Sequence, residues 1–97
     1  MTPLHQKLSD HRIALLDLAR RHGVSALRVF GSVARGEDGA DSDIDLLVDP
    51  GPDTTLFELG ALLDDIQALL GTRVDLMTPA ALSPRIRQRV LNEAQLL

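Results

Sequence analysis

Between Gly31 and Asp45 the chain reads G-S-V-A-R-G-E-D-G-A-D-S-D-I-D, and the apolar run Ile44, Leu46, Leu47, Val48 starts inside its last residues. Asp43 and Asp45 stand two apart at the mouth of that run. Side chains two apart on a strand share a face. Both carboxylates therefore point one way, while Ile44 and Leu46 point the other way into a core. Two carboxylates side by side repel, and a proton, a basic partner or a metal ion relieves them. Oxygen ligands of this kind suit Mg²⁺ or Mn²⁺, which take a few carboxylates together with waters and substrate phosphates. A solvated strand start in an acidic protein also explains a bare D-x-D. Asp75 lies inside R-V-D-L-M-T, flanked by Val74 and Leu76. A carboxylate in a short apolar strand is expensive to bury unless paired or metal-bound. It completes a three-carboxylate cluster if its strand lies beside that of Asp45. A salt bridge to Arg73 or another Arg explains it as well. Gly31-Ser32 ends one strand and opens a helix, which exposes backbone N–H groups to an anion. Gly31 lets a phosphate approach and Ser32 offers a hydroxyl, although a plain Ser helix cap explains the pair too.

The elements that position these residues follow from periodicity. Thr2-Pro3 predicts a helix start, with Thr as cap and Pro in the first turn. Leu4, Leu8, His11, Leu15 and Leu18 mark one helical face, which Ser9-Asp10 interrupts and Gly23 ends. Residues 24–30 read as a first strand. Ser32 is expected to cap a short helix through Val33, Ala34 and Arg35. Residues 43–48 read as a second strand, stopped by Asp49-Pro50-Gly51-Pro52. Asp53 is expected to cap a helix whose buried stripe is Leu56, Leu59, Leu63, Ile66 and Leu70, closed by Gly71. Gly60 in its middle costs about 1 kcal/mol relative to Ala, so close packing against a neighbour is expected there. Residues 73–78 read as a third strand and Ser83-Pro84 as the start of a last helix. The fold class is α+β, a small mixed sheet of about three strands flanked by about four helices, in one domain over residues 1–97.

Composition narrows the function. Net charge is −4, which argues against broad nucleic-acid binding. Cysteine is absent, so disulfides and thiolate metal sites are excluded. No run reaches the length of a membrane span and the N-terminus lacks a signal-peptide pattern, so the expected compartment is the cytoplasm. Only Phe30 and Phe57 are aromatic, and aliphatic side chains must fill the core. Gly31 to Asp38 spells G-x-x-x-x-G-E-D and fails as a P-loop, which needs Lys then Ser or Thr. Asp41, Asp43 and Asp45 imitate an EF-hand opening, but Leu46 stands where Gly is required and Pro52 where Glu is required. His5, His11 and His22 match no ligand motif and read as surface or core-edge residues.

Gly31-Ser32, ten residues, then Asp43-x-Asp45 resembles the signature of the polymerase-beta-like nucleotidyltransferase superfamily. The run G-S-V-A-R-G…D-S-D-I-D-L-L-V is similar to the minimal nucleotidyltransferases (MNT), and R-V-D-L-M-T-P resembles the strand carrying their third carboxylate. The resemblance implies that Asp43 and Asp45 hold one or two Mg²⁺ (or Mn²⁺) ions with a nucleoside triphosphate, ATP. It implies that Asp75 binds the second metal and serves as base toward the acceptor hydroxyl. Gly31 and Ser32 then hold the distal phosphates, with Arg35 assisting or bracing the loop. Many relatives carry a basic residue where this chain has Val33, which weakens nucleotide binding unless another Arg substitutes. The resemblance further implies a partner, a HEPN ribonuclease toxin encoded nearby. The chain would act as its antitoxin by transferring AMP to a tyrosine hydroxyl.

A module that inhibits the partner by binding alone is the competing reading, and transfer to a small molecule is a third. Neither a membrane nor direct nucleic-acid contact is expected, and a homo-oligomer is left open. Arg85 and Arg89 share a face of the last helix, Arg87 points elsewhere, and Arg89 is placed to pair with Glu93. The tail from Ala94 to Leu97 completes the core, frays or docks on a partner.

Overall fold

The computed structural model describes residues 2–39 and 41–97. Its strands are β1 (Val24–Phe30), β2 (Ile44–Pro50), β3 (Val74–Met77) and β4 (Gln95–Leu96), and its helices are α1 (Pro3–Asp10), α2 (Arg12–Arg21), α3 (Gly31–Arg35), α4 (Leu56–Leu70) and α5 (Pro84–Glu93). The strands form one sheet in the order β3-β2-β1-β4. β1 runs antiparallel to β2 and β4, whereas β2 and β3 are parallel. The mixed sheet is as expected. The tail supplies a fourth strand, paired Val29 to Gln95 and Arg28 to Leu96.

Alternation along β2 divides the molecule. Ile44, Leu46 and Val48 enter the larger core with Leu8, Leu15 and Ala19 of α1 and α2, and Leu62, Ile66 and Leu70 of α4. Leu47 faces the opposite way and meets Leu82 and Val90, with Phe30, Met77, Leu91 and Ala94 around them. β2 is therefore buried on both faces along its middle, while its acidic mouth lies on the thinly covered face. The main core is wholly aliphatic.

Local chemistry explains most boundaries. The hydroxyls of Thr2, Thr55 and Ser83 accept from the backbone N–H of His5, Glu58 and Arg85 and cap α1, α4 and α5. α4 thus starts two residues later than expected from Asp53. Leu56 becomes the first helical residue, beyond the edge of the core and 87% exposed. Leu62 takes its place in the buried stripe. Ser32 does not cap α3 either, because Gly31 is already helical and Phe30 occupies the cap position. The N-terminal helices part at His11 rather than at Ser9-Asp10, and the His11 ring Nδ1 lies 2.8 Å from Lys7 O. Gly60 meets no packing demand, since an added Cβ would touch nothing within 4 Å.

His22, at the end of α2, reaches across to α4. Its Nδ1 lies 2.7 Å from Glu58 Oε2 and its Nε2 lies 2.9 Å from Asp65 Oδ2. A ring that donates at both nitrogens is an imidazolium, and the hydrogen bond to Glu58, then that to Asp65, raises its pKa above the ordinary 6.5.

Two outcomes follow from these contacts. Gly60→Ala should raise unfolding stability by about 1 kcal/mol in urea titrations, because the site is helical, exposed and open. The His22 contribution is fully present below its unfolded pKa and is lost as pH rises through the raised folded value. Thermal melts of the unmodified chain should therefore fall over that window, and His22→Gln should remove that part of the slope.

Candidate active site

β1 ends and β2 begins side by side, with Phe30 opposite Asp45. The next residue, Gly31, has φ +72 and opens α3. A Cβ built there would collide with Asp45 Oδ2. Gly31 is required twice, for a left-handed backbone and for the approach of a carboxylate.

The parallel register of β2 and β3 sets Asp45 beside Asp75 and Leu46 beside Leu76. This brings together the carboxylates that the spacing left apart. Burial pushes the Asp45 carboxyl up, the charge and hydrogen bonding of Asp75 and the charge of Asp43 push it further, and Arg35 opposes them; it titrates at about 6. Asp75 is exposed on β3, the edge strand of the sheet. The burial cost expected for it is therefore small. Arg73 does not pair with Asp75 as that alternative proposed. Its Nε lies 3.0 Å from Asp43 Oδ1, at the strand mouth, where the two residues flank the start of the β2–β3 ladder.

Gly31 and Arg35, two of the residues expected to meet phosphate, lie near Asp45. Arg35, at the end of α3, donates from Nε to Glu37 Oε2 at 2.9 Å and from Nη1 to Glu93 Oε1 at 2.6 Å. The Gly31 N–H donates to the other oxygen of that carboxylate, Glu93 Oε2, at 2.8 Å. Burial alone would raise the Glu93 carboxyl, but Arg35 and the Gly31 N–H outweigh it and hold it below its ordinary value. Glu93 was expected to pair with Arg89 on its own helix. Two donors on α3, with a fixed backbone N–H among them, hold it instead. Sequence reasoning missed this contact because the two ends are 62 residues apart and only the return of α5 across the sheet joins them. Arg87 is accounted for locally: its Nε and Nη2 donate to Pro79 O and Leu82 O, each at 2.9 Å, and tie α5 to the preceding turn.

Among the described residues no three acidic or histidine side chains are gathered closely enough to cage a metal ion, and Asp43 is engaged by Arg73. The donor chemistry nonetheless fits a hard divalent cation. Asp45 and Asp75 are neighbouring oxygen donors whose mutual repulsion a cation would remove.

The family model described as "Nucleotidyltransferase domain" matches residues 11–97. "Putative protein adenylyltransferase MJ0435" of Methanocaldococcus jannaschii is 38% identical over 87 residues, covering 90% of this chain and 94% of the relative. "Protein adenylyltransferase MntA" of Thermococcus cleftensis is 43% identical over 77 residues, covering 79% and 78%. Among solved structures, one described as "Structure of putative minimal nucleotidyltransferase" superposes with a TM-score of 0.87 at 46% identity, over 96% of this chain and 95% of that one. A more distant complex, of tri-AMPylated Shewanella oneidensis HEPN toxin with MNT antitoxin, shares the fold at a TM-score of 0.65 and 21% identity, over 95% and 70%. The chain belongs to the nucleotidyltransferase domain family and, within it, to the minimal nucleotidyltransferases. Its class of chemistry is nucleotidyl transfer.

An acid held above its unfolded pKa costs stability once the pH passes the unfolded value near 3.8, and the full cost is reached above about 6. In metal-free buffer Asp45→Asn should therefore be more stable than the unmodified chain at pH 7.5, by ~1 kcal/mol after allowance for solvent screening. The difference should shrink as the pH falls toward 4. Paired melts across that range check it.

Proposed function

We propose that this chain transfers AMP from ATP to a hydroxyl of a partner protein, a HEPN-type toxin, and so acts as its antitoxin. The observation that carries the reading is the juxtaposition of Asp45 with Asp75 beside Gly31, at the junction of three strand ends. The relatives named as protein adenylyltransferases and the tri-AMPylated toxin in the distant complex support the acceptor class.

Each residue has a distinct task. The N–H of Gly31 and the hydroxyl of Ser32 bind the distal phosphates, and Arg35 neutralises them from the end of α3. Asp43, Asp45 and Asp75 would hold Mg²⁺ (or Mn²⁺), which when bound offsets phosphate charge and steadies the departing pyrophosphate. Asp43 leaves Arg73 to take part. Asp75, exposed at the sheet edge, faces the side from which a protein acceptor arrives. It takes the proton of the acceptor hydroxyl as that oxygen bonds to the α-phosphorus, and the bond from phosphorus to the pyrophosphate oxygen breaks. The sheet contributes orientation, since the register sets Asp75 beside Asp45, which in turn packs against Gly31.

Neutralisation by binding alone gains one observation, the Arg73–Asp43 ion pair, which holds a carboxylate away from metal duty. Co-expression with the protein encoded by the adjacent gene, followed by intact-mass measurement of that protein, separates the two. We expect an added AMP mass with the unmodified chain and none with the Asp43→Asn, Asp45→Asn double variant, which should remain folded. Unchanged transfer by the double variant would remove these carboxylates from the mechanism. A stable complex without added mass in either case would leave the binding module.

A further inference from the structure

The two groups assigned above to the distal phosphates, the Gly31 N–H and the Arg35 guanidinium, already hold an anion that belongs to the chain. Glu93 places one carboxylate oxygen on each, at 2.8 and 2.6 Å. Its side chain is only 19% exposed, and its carboxyl stays ionised because these donors outweigh burial. A carboxylate whose two oxygens satisfy a backbone N–H and an arginine presents the same charge and acceptor spacing as an edge of a phosphate. Both anions cannot use the same N–H. We infer that Glu93 is a resident competitor for the nucleotide, a latch that must leave Gly31 before a phosphate enters. The inference rests on the assignment of Gly31 and Arg35 to phosphate.

The fastening of the latch suits such a role. Glu93 is the last residue of α5, and the chain turns extended at Ala94. The tail is then pinned by β4, two residues long and exposed, at the edge of the sheet. α5 itself is anchored a turn earlier by Val90 in the small second core. Fraying of β4 and of the last turn of α5 can withdraw Glu93 at the loss of the Leu97 contact with the larger core, while the helices that form that core stay in place. A molecule that draws the tail away from β1 would open the phosphate site, so the latch couples nucleotide entry to the state of the C-terminal strand.

Titration of ¹⁵N-labelled protein with inorganic triphosphate, followed at the Gly31 amide, tests the inference. The unmodified chain is compared with Glu93→Gln, which keeps the shape and removes the charge, and with Glu93→Asp, which keeps the charge and withdraws it. Both variants should saturate at about tenfold lower triphosphate, the scale of losing one charge-assisted competitor. The KM for ATP should fall in parallel without loss of kcat. Equal or weaker triphosphate binding in both variants would overturn the latch and make Glu93 a brace for Arg35. A Gly31 amide that ignores triphosphate in all three chains would overturn it as well. Nucleotidyl transfer is judged apart from this, by the mass experiment with Asp43→Asn, Asp45→Asn, in which Glu93 is untouched.

Discussion

Everything at the site depends on holding like charges together. Asp45 and Asp75 are partners in the parallel register of β2 and β3, and left free they would separate. What prevents this is the burial of β2 on both faces, by Ile44, Leu46 and Val48 on one side and Leu47 on the other. A slip of one residue would exchange the two faces, carrying Asp43 and Asp45 into the larger core and Ile44 and Leu46 out to the acidic mouth, so the register is strongly specified. The aliphatic core thus acts as the restraint that keeps two carboxylates in contact and lifts the Asp45 pKa to about 6. The repulsion is local, and a proton or a cation would relieve it.

Beside that repulsive centre, two arginines are already engaged. Arg73 is spent on Asp43, and Arg35 on Glu37 and Glu93. The Gly31 N–H is satisfied by a side chain rather than left open. In the free protein the Arg35 guanidinium and the Gly31 N–H are therefore both held by Glu93. Little positive charge stands idle here to attract phosphate from a distance.

Much of the architecture was legible in the chain. Period two in β1 and β2, period three to four in α4, Thr2-Pro3 and Ser83-Pro84 as starts, and Gly23 and Gly71 as stops all describe chemistry local to a few residues. The errors share one cause. Thr55 outcompetes Asp53 as a cap, Leu56 falls outside the stripe, and Gly60 faces open space, because which turn enters the core is decided by the sheet and not by the helix alone. At the site the same division holds. The spacing of Gly31-Ser32 and Asp43-x-Asp45 is visible within fifteen residues, whereas the neighbour of Asp45 depends on strand order. Glu93 is the clearest case, since only the return of α5 carries it to Gly31.

The core built from leucine, isoleucine, valine and alanine has an optical corollary. The chain contains no tryptophan and no tyrosine. It is nearly transparent at the wavelengths by which proteins are ordinarily quantified, and it lacks the intrinsic fluorescence that reports association. Any such signal in a mixture comes from the other component, so an aromatic partner can be watched against a dark background. For the same reason no phenolic oxygen in this chain competes as an acceptor, and a tyrosyl adduct formed in its presence belongs to another molecule.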